Sequence, residues 1–175
     1  MLTKIDLCSM ALLKIGEKPI QSFNETTAAA QLSRTLYDNV TDSLLAAHPW
    51  RFAIRKFELA KTTDDNFLIP TEVLRILSCS ANRYEINGNR MFAASDKVTL
   101  TAIARVGIDC YPSFFVSVAA TKLAMEFCIP LTDNQNAMHT LATLYESELR
   151  NAKFIDSTMA SAPDIADFSL ISARF

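Results

Sequence analysis

The dipeptide Asn87-Gly88, set between Tyr84-Glu-Ile and Asn-Arg-Met-Phe92, restricts the fold of this chain more than any other short stretch. A two-residue type I′ turn needs positive φ at both central positions, which Asn and Gly adopt at low cost, so the pair predicts a tight antiparallel hairpin. The strand pattern extends around it. From Val73 the apolar period shifts towards two. Over Val98 to Val106 the side chains of Val98, Leu100, Ala102, Ala104 and Val106 face one way, and Thr99, Thr101 and Arg105 the other. Ile103 breaks the polarity of the second face, which is therefore expected to be partly covered.

Helical spacing dominates on both sides of the strands. Thr3 and Asp6 form the pattern of a capping box, and a helix from Thr3 to Ile15 carries the stripe Ile5, Cys8, Leu12 and Ile15 before Gly16 closes it. A second helix starts near Thr26 and shows Ala29, Leu32, Leu36, Val40 and Leu44 on one side as far as Ala47. His48-Pro49-Trp50 ends it, because proline disfavours helical geometry in the residue before it. At 1.5 Å per residue this helix spans ~33 Å and needs a partner of similar length.

A short amphipathic piece, Phe52 to Leu59, and a polar loop, Thr62 to Asn66, lead into the strands. Helix returns after Pro112, with Phe115, Val118, Ala119, Leu123 and Phe127 on its apolar face as far as Pro130. Asp133 is expected to cap a last helix with the stripe Ala137, Leu141, Leu144, Ala152 and Ile155, running to about Asp156. The expected fold class is mainly α: a long-helix bundle with a small inserted antiparallel β-sheet or hairpin and an extended C-terminal arm. In residue numbers, the body is 1–160 with the β insertion at about 73–106, and the arm is 161–175.

With 175 residues, 50% hydrophobic and 21% charged, the chain fits one globular domain. Seventeen basic and nineteen acidic residues give a net charge of −2, which lacks the basic surplus of an autonomous nucleic-acid binder. The longest apolar stretch, Phe114 to Leu131, carries Lys122 and Glu126 and is not expected to span a membrane. Asp6 interrupts the first apolar run, so no secretory signal is expected. Cys8, Cys79, Cys110 and Cys128 have neither zinc-site spacing nor the density of a disulfide scaffold, and are read as reduced, mostly buried thiols.

Groups that could carry chemistry are sparse. His48 sits at a helix end beside Pro49 and Trp50, where an imidazole bonded to a terminal carbonyl is the simpler reading than a general base, and His139 lies on a polar helix side. Glu146 and Glu148 diverge by about 200° on a helix and serve solubility rather than acid–base work. Asp64-Asp65 reads as a polar turn, and three glycines leave no phosphate cradle. No catalytic, cofactor or metal site is expected. Arg51, Arg55 and Lys56 are the one basic cluster, read first as a solvated helix face and otherwise as a surface facing DNA or an acidic neighbour. The final stretch is too apolar for an idle tail, with Ile165, Phe168, Leu170, Ile171 and Phe175 alongside Arg174. It either folds back on its own core or docks on a partner.

Several of these residues also carry a family likeness. Ala11-Leu-Leu-Lys-Ile-Gly-Glu-Lys-Pro-Ile20, Tyr37-Asp38, and Leu44-Leu-Ala-Ala-His-Pro-Trp-Arg-Phe-Ala53 resemble the head-to-tail adaptors of the tail tubular protein A type found in short-tailed phages. His48, Pro49, Trp50 and Phe52 form the most specific element. Leu59-Ala60, Ile69-Pro-Thr-Glu-Val-Leu-Arg-Ile76, the Tyr84-Glu-Ile-Asn-Gly88 hairpin and Ala173-Arg174 follow in the same order. Arg51 stands where the family often has Asn, and Leu170 where an aromatic is common.

The resemblance implies a virion protein at the head–tail junction, made in the host cytoplasm and not an enzyme. It implies a ring, usually of twelve copies, that binds beneath the portal protein, extends the DNA channel and receives the tail nozzle or tube proteins. Duplex DNA would pass without specific binding, and the arm of Ile165, Phe168, Leu170, Ile171, Arg174 and Phe175 would reach the portal. A cytosolic helical module that recruits a protein partner without any ring is the alternative, and a small hydrolase using His48 a third.

Overall fold

The structure, a computed structural model, describes residues 1–159, with helices at either end and antiparallel strands between them. Helix α1 (Lys4–Lys14) opens on Thr3, whose hydroxyl accepts the Asp6 amide at 3.1 Å while the Asp6 carboxylate accepts the Thr3 amide at 2.8 Å. This is the capping box read from the sequence. The helix closes as a Schellman motif: Gly16, at φ +81°, donates to the Leu13 carbonyl and Glu17 to that of Leu12.

Thr27 caps α2 (Ala28–Ala47) by accepting the Ala30 amide. Its buried side runs through Ala30, Ser33, Tyr37, Thr41 and Leu45, with Val40 and Leu44 beside them, so the expected stripe is rotated and Leu32 and Leu36 lie half-buried on its flank. Apolar periodicity misses this because two of the inward residues are polar. Thr41 satisfies its hydroxyl by donating to the Tyr37 carbonyl one turn back.

Helix α3 (Ser113–Thr132) is the centre of the helical part, packed against α1, α2 and α4 (Gln135–Thr158). Its length and apolarity would let it cross a membrane. Its packing instead makes it the core helix: the expected face of Phe115, Val118, Ala119, Leu123 and Phe127 is fully buried, as are the four consecutive residues Val118 to Thr121. Lys122 and Glu126 pair with each other at 2.8 Å towards solvent.

Pro130 does not end α3, which runs two residues further to Thr132. Asp133 ends it, at φ 49°, donating its amide to Ile129. Asp133 therefore terminates α3 instead of capping α4. Asn134 is the cap of α4, accepting the Ala137 amide at 3.0 Å. A left-handed residue followed at once by an N-cap folds α4 back onto α3. Along α4 the buried side passes through Leu141, Tyr145, Leu149, Ala152 and Asp156, which leaves Leu144, expected in the stripe, 40% exposed.

Between α2 and α3 lie two three-stranded antiparallel sheets. One has β1 (Ile54–Ala60) and β3 (Val73–Cys79) flanking β6 (Lys97–Ala104); the other has β2 (Phe67–Leu68) and β4 (Tyr84–Asn87) flanking β5 (Arg90–Ala93). The expected amphipathic piece Phe52 to Leu59 divides: Arg51–Ala53 is a 3₁₀ turn, and β1 pairs along its whole length with β6, from Ile54↔Ile103 to Ala60↔Lys97. The expected helical fold with inserted antiparallel strands is present in outline, as a mixed arrangement in which the strands form two sheets and no long-helix bundle is established. Four helices share the described residues with two small sheets.

The hairpin is present, one residue later than its dipeptide suggested. Asn87 pairs with Arg90, so Gly88 and Asn89 are the central residues, and only Gly88 has positive φ, at 62°. Glycine first with a single positive φ is the type II′ pattern, and Asn87 belongs to the strand. Two buried clusters result. The helical cluster includes Leu7, Leu12, Leu45, Trp50, Phe115 and Phe127, and both sheets contribute to the other through Phe67, Met91, Val98 and Leu100. Ile103, whose face was expected to be partly covered, is fully buried in the helical cluster.

Candidate interaction site

The His48-Pro49-Trp50 element turns the chain from α2 into β1. Trp50 is fully buried, and its Nε1 donates to the Leu44 carbonyl at 2.9 Å, one of the carbonyls that the end of α2 leaves unpaired. Its ring meets Phe115 edge-on at 5.2 Å between centroids, and Phe52 and Tyr111 meet the same Phe115 ring at 4.9 and 4.8 Å. These aromatic contacts seat the α2–β1 junction on the core helix. Pro49 is exposed and holds the turn.

Arg51 and α4 meet at the same junction. The Arg51 amide donates to the Asp156 carboxylate at 3.1 Å, and its Nε donates to the Asp156 main-chain carbonyl at 3.1 Å. Asp156 is 3% exposed. His48 does not bond a terminal carbonyl as expected. Its ring packs edge-on against Trp50 at 4.6 Å, and its Nε2 lies 3.6 Å from the Asp156 carboxylate. Burial holds the imidazole below its ordinary pKa of 6.5 against the opposing pull of Asp156, with Lys153 and Arg75 adding to the depression. It is uncharged at neutral pH. Among the described residues it makes no hydrogen bond to a serine or cysteine, so no nucleophile stands beside it.

Arg55 and Lys56 are exposed neighbours on β1 and project to opposite faces of the strand. Neither has an ion-pair partner within 4.0 Å among the described residues. The arm residues Ile165, Phe168, Leu170, Ile171, Arg174 and Phe175 lie outside the described residues. Exposed apolar side chains among the described residues include Met10 and Leu13 on α1, Leu144 and Phe154 on α4, and Leu68, Tyr84, Ile86 and Phe92 on the hairpin sheet, with Leu77 on β3 and Ile129 on α3 standing singly.

Other expected loci are structural. Lys61 and Arg90 hold the Asp65 and Asp64 carboxylates at 2.7 and 3.9 Å. His139 is exposed. Glu148 is not a solubility residue: it accepts a hydrogen bond from the buried Thr121 hydroxyl and reaches Lys14 at 3.4 Å, linking α4 to α3 and α1. All four cysteines are free; Cys8 and Cys128 are buried, Cys79 is half-buried and Cys110 exposed. Burial pushes the Cys8 thiol up to about 12.

A charged recess of about 240 Å³, announced by no local motif, lies between α1, α2 and the segment after β6. Lys4 pairs with Asp38 at 2.9 Å, and Arg105 Nε with Asp42 at 2.8 Å. Tyr37 and Tyr111 line it too, and burial raises both phenols, Tyr111 to about 12. Its cations and carboxylates are mutually paired and its phenols neutral, so it offers neither a free base nor a nucleophile. Among the described residues no group of three or more His, Cys, Asp or Glu is placed to hold a metal ion.

No curated protein matches the chain. The model of the tail tubular protein family matches residues 5–161, which includes α1, α2, both sheets, α3 and α4. The chain therefore belongs to the tail tubular protein family, structural components of the phage tail.

Proposed function

We propose that this chain is a head-to-tail adaptor that forms a ring of about twelve copies beneath the portal, extends the DNA channel and gives the tail nozzle its platform. The family match over residues 5–161 carries this reading. The surface supports it. Subunits that repeat head to tail around a closed rotation need two different regions complementary to each other, and exposed apolar side chains on α1, on α4 and on the hairpin sheet supply separate regions for such contacts. A net charge of −2 suits a channel through which DNA slides, since each phosphate neutralised adds salt-dependent affinity. Arg55 and Lys56, with the exposed part of Arg51, then face a neighbouring subunit or the portal.

In this reading the body of residues 1–160 builds the ring, and residues 161–175 dock on the portal through Ile165, Phe168, Leu170, Ile171 and Phe175, with Arg174 beside them. Each large apolar side chain buried there contributes about 1.5–3 kcal/mol before ordering entropy is subtracted, and the copies act together. The test is electron microscopy of the purified chain mixed with the portal protein of the same phage. An added ring is expected, lost on deletion of residues 161–175 while circular dichroism and the melting temperature stay unchanged. Full portal decoration by the truncated chain overturns the docking role of the arm, and absence of any ring on intact portals overturns the adaptor reading.

A further inference from the structure

Asp156 is out of place by every local rule. It lies in the last turn of α4, where an acidic side chain opposes the helix dipole. Its carboxylate is buried, which is costly unless its oxygens are bonded. Nothing within α4 accounts for it. The account lies 105 residues away in sequence, where the Arg51 amide and guanidinium take its carboxylate and its main-chain carbonyl, each at 3.1 Å. The bonds form a two-way clasp: a side chain of α4 holds the backbone of the turn, and a side chain of the turn holds an orphan backbone carbonyl of α4.

Among the described residues the end of α4 is held by this clasp, by His48 Nε2 at 3.6 Å from the same carboxylate, and by a half-buried Ile155. Ala152 is the last buried apolar residue of the helix, and beyond it Phe154 and Met159 are 65% and 62% exposed, with Ser157 and Thr158 exposed as well. A helix end with so little burial frays unless something else pins it. Arg51 is itself fixed, because it follows the fully buried Trp50. The clasp therefore ties the last turn of α4 to a turn seated on the helical core, three residues before the description ends at Met159.

We infer that Asp156 and Arg51 are positioning residues for the C-terminal segment: they fix the point from which residues 160–175 depart, so that each segment starts close to its docking site. This rests on the reading that the segment docks on the portal. Without the clasp, residues 153–159 pass from a helical rise of about 1.5 Å per residue to slack chain of up to ~3.4 Å per residue. A longer tether lowers the effective concentration of the docking side chains, by about twofold per segment on the three-halves-power scaling. The deficit compounds to two or three orders of magnitude, roughly, when about twelve segments act together.

The test compares full-length chains: the parent, Asp156→Ala, Asp156→Asn, Arg51→Met, the pair Phe168→Ala/Phe175→Ala, and that pair combined with Asp156→Ala. Three quantities are read: the melting temperature, the rate of trypsin cleavage after Lys153, and the dissociation rate from purified portal rings. For Asp156→Ala the expectation is cleavage at least ~10-fold faster and portal dissociation ~100-fold faster or more. Asp156→Asn keeps a carbonyl oxygen for the Arg51 amide and recovers most of the loss. Arg51→Met, which keeps the amide bond, moves the same way by less and decides the matter if Asp156→Ala does not fold.

In the Phe168→Ala/Phe175→Ala background, Asp156→Ala adds no further loss of portal binding. An equal loss in both backgrounds means that Asp156 acts through the body of the protein and overturns the inference. So does parent-like portal binding by a variant whose Lys153 has become accessible. If the phenylalanine pair alone binds portals as the parent does, the docking reading fails and the inference falls with it, whatever the protease result.

Discussion

Trp50 donates its indole N–H to the carbonyl of Leu44, six residues back, at 2.9 Å. One side chain thus both fills the helical core and completes the end of α2. Trp50→Phe keeps much of the volume and loses the bond, and is expected to cost about 1–3 kcal/mol. Trp50→Ala opens a cavity as well and is expected to cost about 3–5 kcal/mol. Urea denaturation followed by circular dichroism measures both. Fluorescence is unsuitable, since the chain has only one tryptophan.

Acidification should weaken the fold through His48. Its folded pKa is depressed below 6.5, so the unfolded chain binds the proton more readily and stability falls as pH drops from 6.5 towards the lower folded value. Above 6.5 the contribution is constant. Melting temperatures between about pH 7 and pH 5 should show this decline in the parent and a shallower one in His48→Gln. Equal slopes in the two proteins would remove His48 from the explanation.

The turn type can be read by mutation. Gly88→Ala is expected to cost about 1–2 kcal/mol, the penalty of a Cβ at positive φ, because no atom within 4 Å of that position would clash. Asn87→Thr separates the two geometries. In a type I′ turn centred on Asn87 and Gly88 it would be strongly destabilising, whereas in strand β4 a threonine is neutral or better. Chemical denaturation of both variants gives the answer.

Glu146 and Glu148 should behave differently despite their proximity. Glu148→Ala removes the partner of the buried Thr121 hydroxyl and of Lys14, and is expected to cost about 1–3 kcal/mol. The loss is tempered by the Ser117 carbonyl, to which the Thr121 hydroxyl also bonds at 3.1 Å. Glu146 is exposed, and its replacement by alanine should stay within about 0.5 kcal/mol. Parallel thermal melts distinguish the pair.

These contrasts mark what sequence reasoning reaches. The capping box of Thr3 and Asp6, the left-handed Gly16, the apolar side of α3 and the alternation of β6 all rest on neighbours within a few residues, and all are present in the fold. Strand β1 escaped because seven residues between a turn and a loop fit a short helix turn as readily as a strand. The rotation of α2 escaped because Ser33 and Thr41 point inward although they are polar. Asp156 and Glu148 escaped for a different reason. Their partners lie 105 and 27 residues away, and no local pattern announces a polar group whose justification is so distant. The family likeness, by contrast, reached nearly the whole length of the chain, and the match over residues 5–161 bears it out.

Ile103 sits in the helical cluster while Val98 and Leu100, earlier on the same strand, sit in the cluster between the sheets. Strand β6 is thus a shared beam between two separately packed blocks. Strand β3 bridges them too, with Leu74 against the helices and Ile76 and Cys79 against the other cluster, so the hairpin sheet is coupled to the helices through two adjacent strands.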